Sequence, residues 1–268
     1  MKNKIMLIVA MFIQASFLHS EKIVMEGSNT MLPIAQRAAE VYMKKFPGKE
    51  VVVRGSGSGV GIAAIIDGNC DIANASRSVK QKELDLARKK GKELKANIIA
   101  MDGLVIIVHP SNKIENITKE QLQKIYTGKI KNWKELGGDD KKIVVISRES
   151  SSGTYEFFLE YVLDKKRVFP GAVMQSTTQG IVNMVAQTPA GIGYIGHGYI
   201  SDKVKTIKYE GLEPTVENII NNKYKLARPL YMYTLTNASK EVLDFIEFVK
   251  SPEGQKLVEE AGYIPLKK

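Results

Sequence analysis

Residues 148–154 read Arg-Glu-Ser-Ser-Ser-Gly-Thr and follow directly on the apolar run KIVVIS. A turn needs about one glycine and one capping hydroxyl; this segment offers a guanidinium and four hydroxyls. Such an excess of donors suits an anion with several oxygens to satisfy. The same order of apolar strand, Gly/Ser/Thr turn and helix recurs at KIVMEGSNTMLPIAQ and EVVVRGSGSGVGIAAII, and more weakly at CDIANASRSVKQKEL. Each turn presents the first N–H groups of its helix and points the positive end of the helix dipole outward. Singly, each is an ordinary capped helix start. Their recurrence, with Arg54, Arg77 and Arg148 in or beside the hydroxyl clusters, points to one shared anion. In open α/β sheets such turns gather at the carboxyl ends of the strands and can converge on a small ligand.

The same residues exclude several chemistries. In GSGSGVG no Gly-Lys-Ser/Thr follows at P-loop distance, and Val60 and Ile62 stand where the dinucleotide pattern needs its final glycine. The nucleophile elbow fails too, since Arg54 precedes Ser56 by two residues and Ser56 precedes Ser58. No histidine lies in a serine-rich turn to act as a base. His109 and His197 have no cysteine or histidine at ligand spacing, so no metal site and no cofactor is expected. Hydroxyls and amides without base, metal or cofactor describe binding, not catalysis.

The elements that must position these turns are legible as patterns. Strands are expected at KIVMEG, EVVVRG, NIIAMDGLVIIVHP, KIVVIS and RPLYMYTL. Helices are expected at LPIAQRAAEVYMKKF, VGIAAIID, VKQKELDLARKK, TKEQLQKIYTG, TYEFFLEYVLD and KEVLDFIEFVK. In the last, Val242, Phe245, Ile246 and Val249 keep the spacing of one apolar face. Thr118 with Gln121 forms a capping box, and Ser251-Pro252 reads as a cap followed by proline. Alternating strands and helices argue for α/β architecture with largely parallel sheets.

Composition sets the frame. The 268 residues suffice for one large domain or two α/β lobes. Residues 1–20 read as a secretory signal peptide: lysines, a short apolar stretch, then small and polar residues. The mature chain is therefore expected outside the cytoplasm, in the periplasm. The single cysteine, Cys70, is not at the end of the signal where a lipid anchor would sit, and reads as a small buried thiol. The net charge of +10 comes from lysines scattered without interleaved aromatics, which argues against nucleic acid. Arginine is scarce: Arg37, Arg54, Arg77, Arg88, Arg148, Arg167 and Arg228 are the full set. Its planar fork, placed where lysine could serve, suits a tetrahedral oxyanion.

The segments GSNTMLP, GSGSGVGI, DIANASR, RESSSGT, AGIGYIG and RPLYMYT, then DFIEFVKSPEGQKLVEEAGYIPL, resemble those of the periplasmic phosphate-binding proteins of the PstS family. These are the solute receptors of ABC-type phosphate importers. The resemblance runs in order over essentially the whole mature chain. It implies a two-lobed periplasmic-binding-protein fold of type II, each lobe a mostly parallel sheet flanked by helices. Lobe I would comprise 21–104 plus 228–268 and lobe II 105–227, with hinge crossings near Leu104–Pro110 and Ala227–Tyr233. The partners implied are inorganic phosphate and a membrane permease, with the receptor a monomer and not an enzyme.

Carried over by motif, Arg148, Ser152, Gly153 and Thr154 match the family's arginine and Ser-Gly-Thr clamp, and Ser58 the serine of its glycine turn. The first turn would supply Ser28, Thr30 and the backbone N–H of Met31. Where many members carry an aspartate, this chain reads Ser76-Arg77. A buried carboxylate there accepts the proton of phosphate and repels sulfate, which has none. Asp102 is the expected replacement, ahead of Asp71 and Glu149, with Arg77 an added counter-charge or the partner of an acidic neighbour. Rival readings are a receptor for sulfate, molybdate or tungstate, a secreted phosphatase, and a surface adhesin.

Overall fold

The computed structural model describes residues 21–266; the expected signal peptide, 1–20, lies outside them. From the N-terminus, β1 (Glu21–Gly27) leads through a 3-10 turn at Asn29–Met31 into α1 (Leu32–Lys45). Then come β2 (Lys49–Gly55), α2 (Ser58–Asp67), β3 (Ile72–Ala75), α3 (Gln81–Lys89) and β4 (Leu94–Val108). The middle holds β5 (Asn116–Ile117), α4 (Lys119–Tyr126), β6 (Val144–Arg148), α5 (Gly153–Tyr161), β7 (Val173–Gln175), α6 (Thr178–Gln187) and β8 (Gly191–Gly196). After β9 (Lys205–Thr206), β10 (Lys208–Tyr209) and α7 (Val216–Ile220), the chain closes with β11 (Ala227–Leu235), α8 (Lys240–Lys250) and α9 (Pro252–Glu260).

The expected helix starts form for the expected reasons. Thr118 and Gln121 cap α4 reciprocally, and the Ser152, Ser239 and Ser251 hydroxyls accept from the N–H of the third residue of α5, α8 and α9. Val242, Phe245, Ile246 and Val249 are all buried on α8.

The main sheet runs β2-β1-β3-β11-β4-β8-β6-β7. β1 pairs in parallel with β2 and β3, and β6 with β7 and β8. The strands between are antiparallel: β11 to β3 and β4, and β4 to β8. The sheet is thus mixed where a largely parallel one was expected, because β11 returns from the second lobe in the opposite sense. β4 makes the crossing: residues through Gly103 pair with β11, and those from Leu104 on pair with β8. Alternation along this strand feeds two cores at once, Leu104, Ile106 and Val108 facing one, Val105 and Ile107 the other. In the first lobe Met25, Ile34, Tyr42 and Phe245 form one core and Ile62, Ile65, Ala73 and Tyr233 another. Each lobe is therefore a sheet packed by helices on both faces, and the helix starts meet between them.

Candidate anion site

Gly153 opens α5 and sits against two hydroxyls of the first lobe. A Cβ there would lie 2.3 Å from Ser58 Oγ and 2.7 Å from Ser76 Oγ. Only glycine permits so close an approach. Ser58 begins α2, and its Oγ accepts the Ser76 N–H at 3.1 Å. One residue on from Gly153, Thr154 Oγ1 is 2.8 Å from Thr30 Oγ1, at the start of the first helical segment. The glycine turn also reaches across, the Gly59 N–H donating to Ser151 O at 3.0 Å. The first helical segment, the starts of α2 and α5, and the turn after β3 are therefore in contact. Ser28, Thr30, Ser58, Ser76, Ser152 and Thr154 are all buried.

The donor census is uneven. Ser152 Oγ accepts from Tyr155 N–H as the cap of α5, which leaves the Gly153 and Thr154 N–H groups as its unpaired first turn. Met31 corrects an expectation: its N–H, taken as an anion donor, is donated to Ser28 O at 3.1 Å because a 3-10 turn closes there. Arg148 is 1 % exposed and already heavily engaged. Its Nε donates to Gln175 O, its Nη2 to Glu149 Oε1 and Ser176 O, and its Nη1 to Thr178 Oγ1. Of five N–H bonds one remains, on Nη1.

The other expected charges are placed differently. Arg54 is exposed. Arg77 is buried, but its fork closes on Glu83 at 2.7 and 2.9 Å and its Nε lies 2.5 Å from Glu156 Oε2 on α5. Lys80 joins the same carboxylate oxygen at 2.6 Å. Burial pulls the Arg77 guanidinium down, yet the Glu83 and Glu156 carboxylates outweigh it and hold it above its ordinary value. Burial likewise pushes Glu83 up, and the Arg77 and Lys80 contacts outweigh it to hold Glu83 below the usual carboxylate range. The acidic-neighbour alternative describes Arg77, and the pairing joins the two lobes.

Asp102 is wholly buried, and sequence reasoning missed its partner. It stands opposite Arg228 in the β4–β11 register, and Arg228 Nε and Nη2 both reach Asp102 Oδ2, at 3.0 and 2.8 Å. Asp102 Oδ1 accepts the His197 N–H at 2.8 Å. Arg228 Nη2 also donates to Thr154 Oγ1 at 3.1 Å. Gly196 packs among them: a Cβ there would meet Thr30 Cγ2 at 2.6 Å and Asp102 Oδ2 at 3.0 Å. An arginine inside the apolar run RPLYMYTL was the available signal. Tyr199 Oη donates to Asn29 O at 2.8 Å and Asn29 Nδ2 to Ser176 O at 3.3 Å, further links across the cleft. Cys70 is buried beneath α2, which pushes its thiol up to about 12 and leaves it inert. Among the described residues no cluster of three or more His, Cys, Asp or Glu could hold a metal ion, and no helix is long and apolar enough to cross a membrane.

Residues 16–253 match the model of the PBP superfamily domain. The phosphate-binding protein PstS of Bacillus subtilis is 34 % identical over 250 residues, 92 % of this chain and 81 % of that protein. A protein from Clostridium perfringens described as a phosphate ABC transporter substrate-binding protein, solved with bound phosphate, superposes with a TM-score of 0.87 at 34 % identity, over 92 % of this chain and 100 % of that one. An ABC-type phosphate transport receptor from Vibrio cholerae gives 0.76 at 34 % identity, over 91 % and 100 %. The chain belongs to the PBP superfamily and, within it, to the family of the phosphate-binding protein PstS.

Proposed function

We propose that this chain is an extracytoplasmic receptor that binds inorganic phosphate and delivers it to the membrane permease of an ABC-type importer. The observation that carries the reading is the meeting of Gly153 with the Ser58 and Ser76 hydroxyls beside the Thr30–Thr154 contact. Helix starts from both lobes there offer hydroxyls and unpaired amides to one small anion. In this reading Ser28, Thr30, Ser58, Ser76, Arg148, Ser152, Gly153 and Thr154 supply donors. Lobe I comprises 21–104 plus 228–268 and lobe II 105–227, and residues 1–20 direct export to the periplasm. The receptor works as a monomer without cofactor and binds without turnover.

Micromolar affinity needs about 8 kcal/mol net. A hydrogen bond to a charged partner gives roughly 1.5–3 kcal/mol before closure and ordering costs, so about eight donors suffice. The proton of phosphate needs an acceptor. Asp102 Oδ1 keeps lone-pair capacity after taking the His197 N–H, and stands behind Thr30 and Thr154; it is proposed for that part. Arg77 is proposed to act on closure through Glu156, not on the anion.

Equilibrium dialysis of residues 21–268 against radiolabelled phosphate tests the reading. One saturable site per chain supports it; no retention overturns it.

A further inference from the structure

We infer that Arg228 is a second guanidinium of the anion site, with Asp102 as the group that aims it. The inference rests on the phosphate-receptor reading. Arg228 is 2 % exposed and lies on the strand pair that joins the lobes. A buried ion pair adds little to stability over an apolar pair of like volume, so its placement beside the ligand helix calls for another account.

The hydrogen census supplies one. Nε and one N–H of Nη2 go to Asp102 Oδ2, and the second N–H of Nη2 goes to Thr154 Oγ1. Nη1 is buried and has no protein partner. In the planar fork one N–H of Nη1 lies parallel to the outer N–H of Nη2, so it points to the same side as the Thr154 contact. The Phe157 ring lies 5.3 Å from Cζ, over a flat face where no N–H points. A cavity of about 730 Å³ between the lobes borders Arg228, but Nη1 is buried instead of opening into it. Arg228 therefore keeps one N–H bond on the side of the Thr154 contact, as Arg148 keeps one of its own. Fixing both forks on a tetrahedral anion completes its donor set with charge from the hinge itself.

Anion titrations of wild type and Arg228→Lys test this, with phosphate and with sulfate as probes. Losing a charge-assisted hydrogen bond predicts that both affinities fall by about thirtyfold, with the phosphate-to-sulfate ratio unchanged. Asp102→Asn, which also alters the proton acceptor, shifts that ratio toward sulfate. Unchanged phosphate affinity in Arg228→Lys overturns the inference alone, whereas a wild type that takes no phosphate overturns the receptor reading and this inference with it. Should Arg228→Lys fail to fold, the wild-type crystal structure with phosphate decides. A ligand oxygen about 2.7–3.2 Å from Nη1 supports the assignment; none within about 4 Å overturns it.

Discussion

The hydroxyl oxygens of Thr30 and Thr154 lie 2.8 Å apart although 124 positions separate them in the chain. One belongs to the first turn of the N-terminal lobe and the other to the helix that opens the clamp of the second. The two lobes thus touch through the groups proposed to hold the ligand, and closure and binding share atoms.

That sharing predicts coupling. Thr30→Ala weakens phosphate binding by about 1 kcal/mol. In a calorimetric double-mutant cycle with Thr154→Ala, the paired loss falls short of the sum by about 0.5 kcal/mol or more. Strict additivity would show that the hydroxyls act independently.

Gly153→Ala probes convergence itself. The new methyl would stand 2.3 Å from Ser58 Oγ, so the lobes cannot close as they do here. Overpacking costs about 1–3 kcal/mol, or about ten- to a hundredfold in affinity, while the far-ultraviolet circular dichroism stays that of the wild type. An alanine variant with full affinity would mean that Gly153 and Ser58 do not meet in the bound state.

The Arg77–Glu156 contact predicts a kinetic effect. Glu156 joins the lobes through Arg77 and Lys80 without being proposed to touch the anion. Glu156→Gln therefore speeds phosphate release in stopped flow, by about fivefold for roughly 1 kcal/mol of lost pairing. The difference narrows as salt rises. A release rate indifferent to the change removes this contact from the closure mechanism.

Glu83 gives a pH dependence of known sign. Its carboxyl is held below 4.5 in the folded chain, so its stabilising contribution is complete above about pH 4.5 and is lost as the pH falls through the depressed folded value. Thermal melting should show wild type losing more stability than Glu83→Gln as the pH drops below about 4.5. Parallel losses would place the sensitivity elsewhere.

Much of this arrangement is readable from local pattern. The turns after β1, β2, β3 and β6 carry their hydroxyls and glycines within a few residues, and α8 announces its buried face by spacing alone. What escapes is whatever depends on distant pairing. β8, GIGYIG, is no apolar run, since Gly193 is kept small by α6: a Cβ there would lie 2.7 Å from Ile181 Cγ2. β3 is four residues long. Arg228 is matched to Asp102 across 126 positions by the antiparallel return of β11, and no spacing rule connects them. The Met31 N–H reads as free until the 3-10 turn is seen.

The most direct measurement is a competition titration of residues 21–268 with phosphate in the presence of sulfate. One phosphate binds per chain with affinity in the micromolar range or tighter, about 8 kcal/mol or more, and sulfate is expected to displace it only in large excess. Equal displacement by sulfate, or no phosphate bound, would contradict the receptor reading.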